Sequence, residues 1–190
     1  ITDQYDTDTK IRLRKFDIVK YFEKYDRILF LDDTLIINPN SPNLFNIVPY
    51  NKVGVLFEKE PYFNKLLILK KALTYYNNLE DVNKDNYIWF NSGVILASKC
   101  HKDLFKVPNK NIIKIGNYLD QSIFNANRYK YNIPVYDIGL SFNYLGTRIS
   151  EGKPYNIEDI DNIYFYHVTR AFRSRERKRI INRILKIISY

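Results

Sequence analysis

Tyr25-Asp26-Arg27-Ile28-Leu29-Phe30-Leu31-Asp32-Asp33-Thr34 decides how this chain is read. Arg27 to Leu31 is an apolar run of buried-strand length, and it stops at two adjacent acids. In open α/β sheets, ligands bind beyond the carboxyl ends of the strands. Asp32 and Asp33 stand at such an end. Neighbouring carboxylates at the exit of a buried strand are costly unless a cation, a basic residue or water compensates them. A hard divalent ion bridging carboxylate and diphosphate would do so, and Mg²⁺ or Mn²⁺ prefers such oxygen ligands. The competing reading is an acidic turn that caps the following segment.

Working outward, Thr9 to Lys24 reads as an amphipathic helix with Phe16, Val19 and Phe22 on one face and Lys15 among the polar residues. Leu35 to Ile37 stays apolar until Asn38-Pro39-Asn40-Ser41-Pro42 supplies strong turn chemistry. Val53 to Phe57 reads as a strand and Tyr62 to Tyr76 as a helix, with a polar loop from Asn77 to Asn86. Gly93 to Ala97 reads as a buried strand preceded by Asn91-Ser92. A helix begins near Leu119, Ile133 to Ile138 and Tyr164 to Val168 are strands, and Gly139 to Ile160 is irregular. Ser174 to Ser189 is a basic helix with Ile180, Ile181, Ile184, Leu185 and Ile188 as its apolar stripe. Strands alternate with helices, so the class is α/β. With neither repeat nor linker, residues 1–190 read as one domain, ending in that basic helix at about 174–189.

Composition narrows the function classes. The chain has 190 residues, enough apolar content for a core, and a net charge of +9 that suits an anionic partner such as a nucleotide. Its 17 Tyr and 12 Phe, with many Asn, Ile and Lys, point more to an AT-rich coding genome than to a sugar-stacking surface. Cys100 is the single cysteine, which excludes an internal disulfide and favours a reducing, cytoplasmic setting, of viral or host-cell origin as alternatives. No apolar run reaches membrane-span length, and Ile1 opens no signal peptide, so a fragment or processed form is the expectation. Nucleic acid is not favoured, because no binding motif accompanies the charge. Membrane docking through the C-terminal helix is weighed against simple packing of its stripe, and packing is preferred.

Three further pieces bear on the aspartates. Gly93 permits close backbone approach, and Asn91 and Ser92 can hold hydroxyls, although a plain turn explains them too. His167 ends the last strand, where a neutral imidazole makes a good third metal ligand, although a lone histidine is more often a satisfied surface residue. Asp120-Gln121 at a helix start reads first as an N-terminal cap.

The order of these pieces resembles the retaining glycosyltransferases of the glycogenin and lipopolysaccharide-galactosyltransferase kind (family 8-like). The resemblance is carried by Tyr25 to Thr34, Asn38-Pro39, Asn43-Leu44-Phe45, Phe90-Asn91-Ser92-Gly93-Val94, Asp120-Gln121 with Asn125, and His167. It spans most of residues 10 to 170 and implies a GT-A fold, a Rossmann-like mixed sheet flanked by helices. It also implies an enzyme that takes sugar from a nucleotide-diphosphate donor, UDP being the usual carrier, to a glycan, protein or small-molecule acceptor, with Mn²⁺ or Mg²⁺ as cofactor. Asp32 then matches the first acid of the family's Asp-X-Asp motif and His167 its metal-site histidine, with Asp33 as a helper ligand. Lys15 matches a basic residue that reaches the donor, and Asn91 and Ser92 fall where the donor-sugar pocket is lined. Asp120 and Gln121 match the acid–amide pair beside the reacting carbon, and Asn143 matches a polar residue near the acceptor.

Three departures qualify the resemblance. Thr34 stands where the second acid of Asp-X-Asp is expected, a weaker ligand for a hard cation. Little precedes Thr9, whereas such enzymes begin with a βαβ unit of roughly 30 residues or more that holds the base. The N-terminal nucleotide-binding unit is therefore expected to be truncated. After His167 the usual Gly-and-Lys phosphate clamp is missing, and Arg170, Arg173 and Arg175 are the substitutes for diphosphate contact. The alternative is a non-catalytic relative that keeps the fold as a binding or partner module. A phosphatase of the haloacid dehalogenase type fits less well, because Thr34 follows two places after Asp32 and no later acid pair appears.

Overall fold

A nine-residue strand from Phe90 to Ser98 forms the centre of the sheet, and all but one of its residues are buried. Such a nearly continuous apolar run is what a strand covered on both faces requires. The computed structural model describes residues 12–58, 63–74, 87–107, 119–145 and 163–167, together with 178, 181, 182, 185 and 186. In chain order the described strands are β1 (Arg27–Leu31), β2 (Leu35–Ile37), β3 (Val53–Phe57), β4 (Phe90–Ser98), β5 (Val135–Asp137), β6 (Tyr144–Leu145) and β7 (Phe165–His167). The α-helices are α1 (Leu44–Ile47), α2 (Phe63–Thr74) and α3 (Leu119–Lys130), and 3-10 helices run over Arg14–Glu23, Lys99–Phe105 and Leu140–Phe142.

The main sheet has the order β1-β4-β3-β5. Strand β4 runs antiparallel to β1 and to β3, whereas β3 and β5 are parallel. A second sheet, β2-β7-β6, stands beside it, with Leu35 opposite His167 in the antiparallel β2–β7 pair. The antiparallel direction of β4 matters for function. It brings the beginning of β4 to the carboxyl ends of β1 and β3: Leu31 pairs with Val94, and Phe57 with Phe90. The ladder continues past both ends, because Asp32 N–H donates to the Gly93 carbonyl at 2.8 Å and Glu58 N–H to that of Trp89 at 2.9 Å.

Two apolar layers cover the main sheet. One contains Phe16, Phe22, Leu69, Trp89, Phe90, Phe105, Ile123 and Phe124, and the other Leu44, Val48, Leu56, Val94, Leu96, Phe142 and Phe165. Phe16 stacks on Phe124 with ring centroids 4.3 Å apart, and Phe105 meets Phe124 edge-on at 5.6 Å. These rings give the first 3-10 helix a hydrophobic contact with α3. Asn125, buried in α3, locks that helix to β4: its Nδ2 donates to the Phe90 carbonyl at 3.0 Å, and its Oδ1 accepts from Phe90 N–H at 3.0 Å.

The strands and helices expected from periodicity are present, with four differences. The first helix is of 3-10 type over Arg14–Glu23, and Val19 is exposed while Ile18 packs on the core. Strand β1 is half-buried along its length, because it lies at the end of the described strand order. Asn91 and Ser92 belong to β4 itself rather than to a turn before it. Of the expected C-terminal stripe, Leu185 is exposed and Ile181 half-buried, while Ile180, Ile184 and Ile188 lie outside the described residues, as does the expected loop at 77–86. Among the described residues no helix is long and apolar enough to cross a membrane.

Replacing Phe16 with alanine deletes the ring that joins the first helix to α3, a change that costs about 3–5 kcal/mol in a well-packed core. Urea unfolding of the Phe16→Ala protein should show a lower midpoint with an unchanged slope.

Candidate active site

Asp32, one residue past β1, sits at the centre of a polar cluster at the carboxyl edge of the sheet. Its Oδ1 lies 2.8 Å from Lys15 Nζ, and its Oδ2 lies 3.4 Å from His167 Nε2. The same ammonium lies 2.8 Å from Asp120 Oδ2, so one cation is shared by two carboxylates. Lys15 reaches across from the first 3-10 helix, passing over the Phe30 ring with Nζ 5.3 Å from its centroid. Asp120 stands in the first turn of α3, and Ser92 Oγ donates to its Oδ2 at 3.1 Å. Four sequence-distant segments therefore meet here, and each arrives for a local reason: a strand end, a helix start, a helix face and a β2–β7 pairing.

His167 is brought in by that last pairing. Leu35, its partner across β2–β7, is three residues beyond Asp32. The ring lies over Gly93, where an added Cβ would stand 2.3 Å from Cε1 and 2.6 Å from Nδ1. Only glycine leaves room for the imidazole there. The same Nδ1 is 2.9 Å from Asn143 Oδ1. Asn143 is wholly buried, and its Nδ2 donates to Asn91 Oδ1 at 2.9 Å.

Charge is unevenly balanced in the cluster. Burial pushes the Asp32 carboxyl above its ordinary range, opposed by Lys15 and reinforced by the charges of Asp120 and Asp33. Burial alone would lower Lys15, but Asp120 and Asp32 outweigh it and hold the ammonium above its usual value. A single ammonium serves two carboxylates, so it offsets only part of the burial cost at Asp32 while being held itself by two negative charges. Burial, helped by the Lys15 charge and opposed by Asp33, lowers His167 to about 4. Its imidazole is thus neutral near pH 7 and can lend a lone pair. Desolvating such ions costs several kcal/mol apiece, comparable with what their attraction returns, so the cluster is not a device for stability.

Most of the residues singled out from sequence are in this cluster: Lys15, Asp32, Ser92, Asp120 and His167 touch directly, and Asn91 and Asn143 adjoin through His167 and Gly93. Asp33 is exposed and acts on Asp32 and His167 through its charge. Arg170 lies outside the described residues. Sequence reasoning missed Glu58. Its Oε1 accepts from Asn91 Nδ2 and from Gln121 Nε2, each at 3.2 Å, and the Lys65 ammonium pairs with its other oxygen. An acid directly after the β3 strand was the available signal, the same signal that marked Asp32.

The chain matches no protein-family model and no curated protein in sequence. Among solved structures it is similar to the galactosyltransferase LgtC in complex with donor and acceptor sugar analogs, at 16% identity and a TM-score of 0.55, over 95% of this chain. It is similar also to an active-site mutant of LgtC, at 14% identity and a TM-score of 0.53, over 91% of this chain. In both cases it spans 66% of the other protein's length. Mouse xyloside xylosyltransferase 1 in its apo form gives 16% identity and a TM-score of 0.49, covering 87% of this chain and 67% of that one. At such identities the likeness defines the fold, which is the GT-A fold shared with solved glycosyltransferases.

Two outcomes test this geometry. Gly93→Ala puts a methyl group into the His167 ring and should cost about 1–3 kcal/mol, read as a lower urea midpoint. The second concerns pH. The unfolded chain protonates His167 near the ordinary 6.5 while the folded one resists until about 4. Between those values the unfolded state binds the extra proton, so this stabilisation is complete above pH 6.5 and is lost as pH falls toward 4. With chelator present, the loss of stability from pH 7 to pH 5 should be smaller in His167→Asn than in the native chain.

Proposed function

We propose that this chain carries the catalytic part of a metal-dependent glycosyltransferase, moving a sugar from a UDP-type nucleotide-diphosphate donor to a glycan, protein or small-molecule acceptor with retention of configuration. One observation carries the reading: Lys15, Asp32, Asp120 and His167 converge within 3.4 Å contacts at the carboxyl edge of a GT-A sheet. A diphosphate needs a binding edge with positive charge and a cation, and a departing sugar needs shaped polar groups beside it.

The donor atoms fit Mn²⁺ or Mg²⁺. Asp32 Oδ2 and His167 Nε2 converge on one point, and the cluster lacks one positive charge. Among the described residues no group of three or more His, Cys, Asp or Glu is placed to hold a metal, so substrate phosphate and water would complete the shell. Magnesium-type sites of one or two carboxylates plus phosphate are built in this way. When bound, the ion supplies Lewis-acid stabilisation of the charge developing on the leaving nucleotide diphosphate.

The protein's own residues do the rest. Lys15 holds the Asp32 and Asp120 carboxylates in fixed positions and brings positive charge to the donor. Asp33 adds negative potential at the metal position from the exposed side. Asn91 and Ser92 line the donor-sugar pocket, and Ser92 fixes the orientation of Asp120 through its hydroxyl. Asp120 and Gln121 position the reacting carbon. Glu58 takes the Gln121 amide N–H, which turns the Gln121 side-chain oxygen away from it. Arg170 contacts the diphosphate and Asn143 stands on the acceptor side of the pocket.

A second reading has its own observation. Lys15 already neutralises part of the aspartate cluster, and Thr34 replaces a carboxylate, both of which suit a non-catalytic module. Calorimetric titration separates the two. Mn²⁺-dependent binding of UDP that weakens about tenfold or more in Asp32→Asn and in His167→Ala supports the enzyme, with sugar transfer lost in the same variants. UDP binding that ignores Mn²⁺ and both substitutions would sink the metal-dependent reading.

A further inference from the structure

Gly93, Asn91, Asn143 and His167 form an unbroken series of hydrogen bonds whose direction can be worked out link by link. A backbone N–H can only donate, and that of Gly93 points at Asn91 Oδ1 at 2.8 Å. The oxygen end of the Asn91 amide is therefore fixed on this side. Its nitrogen end faces Glu58, donating to Oε1 at 3.2 Å, which is the arrangement a carboxylate acceptor also demands. Asn91 Oδ1 then requires a donor from Asn143, and Nδ2 of that residue supplies it at 2.9 Å. The remaining end of Asn143 is its oxygen, which lies 2.9 Å from His167 Nδ1. An amide oxygen can only accept, so the imidazole proton must be on Nδ1.

We infer that Asn91 and Asn143 are positioning residues, a relay anchored at Gly93 N–H and Glu58 that fixes the proton of His167 on Nδ1 and turns the bare Nε2 lone pair toward Asp32. Nε2 and Asp32 Oδ2, 3.4 Å apart, are then two acceptors facing one another. Two facing acceptors repel, and a divalent cation held by Asp32 and His167 would turn that repulsion into a shared attraction. Metal-bound histidines ordinarily donate their other N–H to a neighbouring acceptor, which sets ring orientation and raises ligand basicity. Here the acceptor is the buried amide of Asn143, whose orientation is fixed by its donation to Asn91 Oδ1, an oxygen that also accepts from the Gly93 main-chain N–H. The relay rests on the metal reading above for its purpose, but the tautomer is a property of the metal-free chain.

The second histidine provides an internal reference. His101 Nδ1 accepts from Ser98 N–H at 3.1 Å, so its proton belongs on Nε2. The two histidines of this chain therefore carry opposite tautomers.

Long-range proton–nitrogen correlation spectra of the ¹⁵N-labelled, metal-free chain at pH 7 test this directly. One histidine should be protonated at Nδ1 and the other at Nε2, with the first signal absent in His167→Asn. Asn143→Leu should move the His167 proton to Nε2 and weaken Mn²⁺ binding, measured alone and with UDP, by about tenfold or more. Asn143→Asp, which keeps an acceptor toward the ring, should retain a proton on Nδ1. A native His167 protonated at Nε2 overturns the relay, and this measurement needs no variant to fold. An unchanged tautomer in Asn143→Leu also overturns it, as does a shifted tautomer with unaltered Mn²⁺ affinity. If the native chain shows Nδ1–H and binds no Mn²⁺ with or without UDP, the relay stands and the metal-dependent reading is what fails.

Discussion

The antiparallel placement of β4 between β1 and β3 is the constraint on which the site depends. Strands β1 and β3 run in the same direction, so Asp32 and Glu58 emerge at the same edge, each one residue after its strand. A parallel strand between them would bring its own carboxyl end there as well. Because β4 runs the other way, its first residues arrive instead, and Asn91, Ser92 and Gly93 fill the space between the two acids. Glycine at 93 then admits the His167 ring, which β2–β7 pairing carries in from the second sheet. Hydrophobic burial on both faces of β4 holds this arrangement in place, with Phe90 and Ile95 in one apolar layer and Val94 and Leu96 in the other.

Within that frame, two kinds of polar organisation coexist. Around Lys15 the bonds are ionic and unequal, with two carboxylates to one ammonium. Around Glu58, Asn91 and Asn143 they are directional amide contacts in which each donor meets an acceptor. The first kind creates a demand for further positive charge. The second specifies where ligand atoms point, because a buried amide cannot rotate without leaving polar groups unpaired. A net negative cluster of this kind favours a cation over an anion, and the fixed amide lone pairs set the directions from which a ligand atom could be met.

Much of this was legible in the chain. Arg27 to Leu31, ending in two acids, is strand β1, and Val53 to Phe57 matches β3 residue for residue. The helix beginning at Leu119 has Asp120 in its first turn, although its carboxylate meets Lys15 and Ser92 rather than capping the helix. Less was legible where pairing decides the outcome. Asn91 and Ser92 looked like a turn because small polar residues next to glycine ordinarily make one, yet cross-strand bonds to β1 and β3 keep them in the strand. Val19 looked buried by spacing, but Ile18 packs on the core instead. Glu58 drew no notice although it too follows an apolar strand directly, because it stands alone there whereas Asp32 is doubled by Asp33.

By itself, the sequence determined which residue types were available and which segments would become strands and helices, because apolar periodicity and strand-end acids are local properties of the chain. It determined that Lys15, Asp32, Asp120 and His167 exist at the ends or faces of such elements. Only the tertiary structure decided that they touch. The sharing of Lys15 by two carboxylates, the seating of His167 over Gly93 and the capture of Asn91 and Gln121 by Glu58 join residues 17 to 105 positions apart. Such contacts depend on strand order and direction, which are set by how two apolar faces bury one another and leave no trace in any short window of sequence.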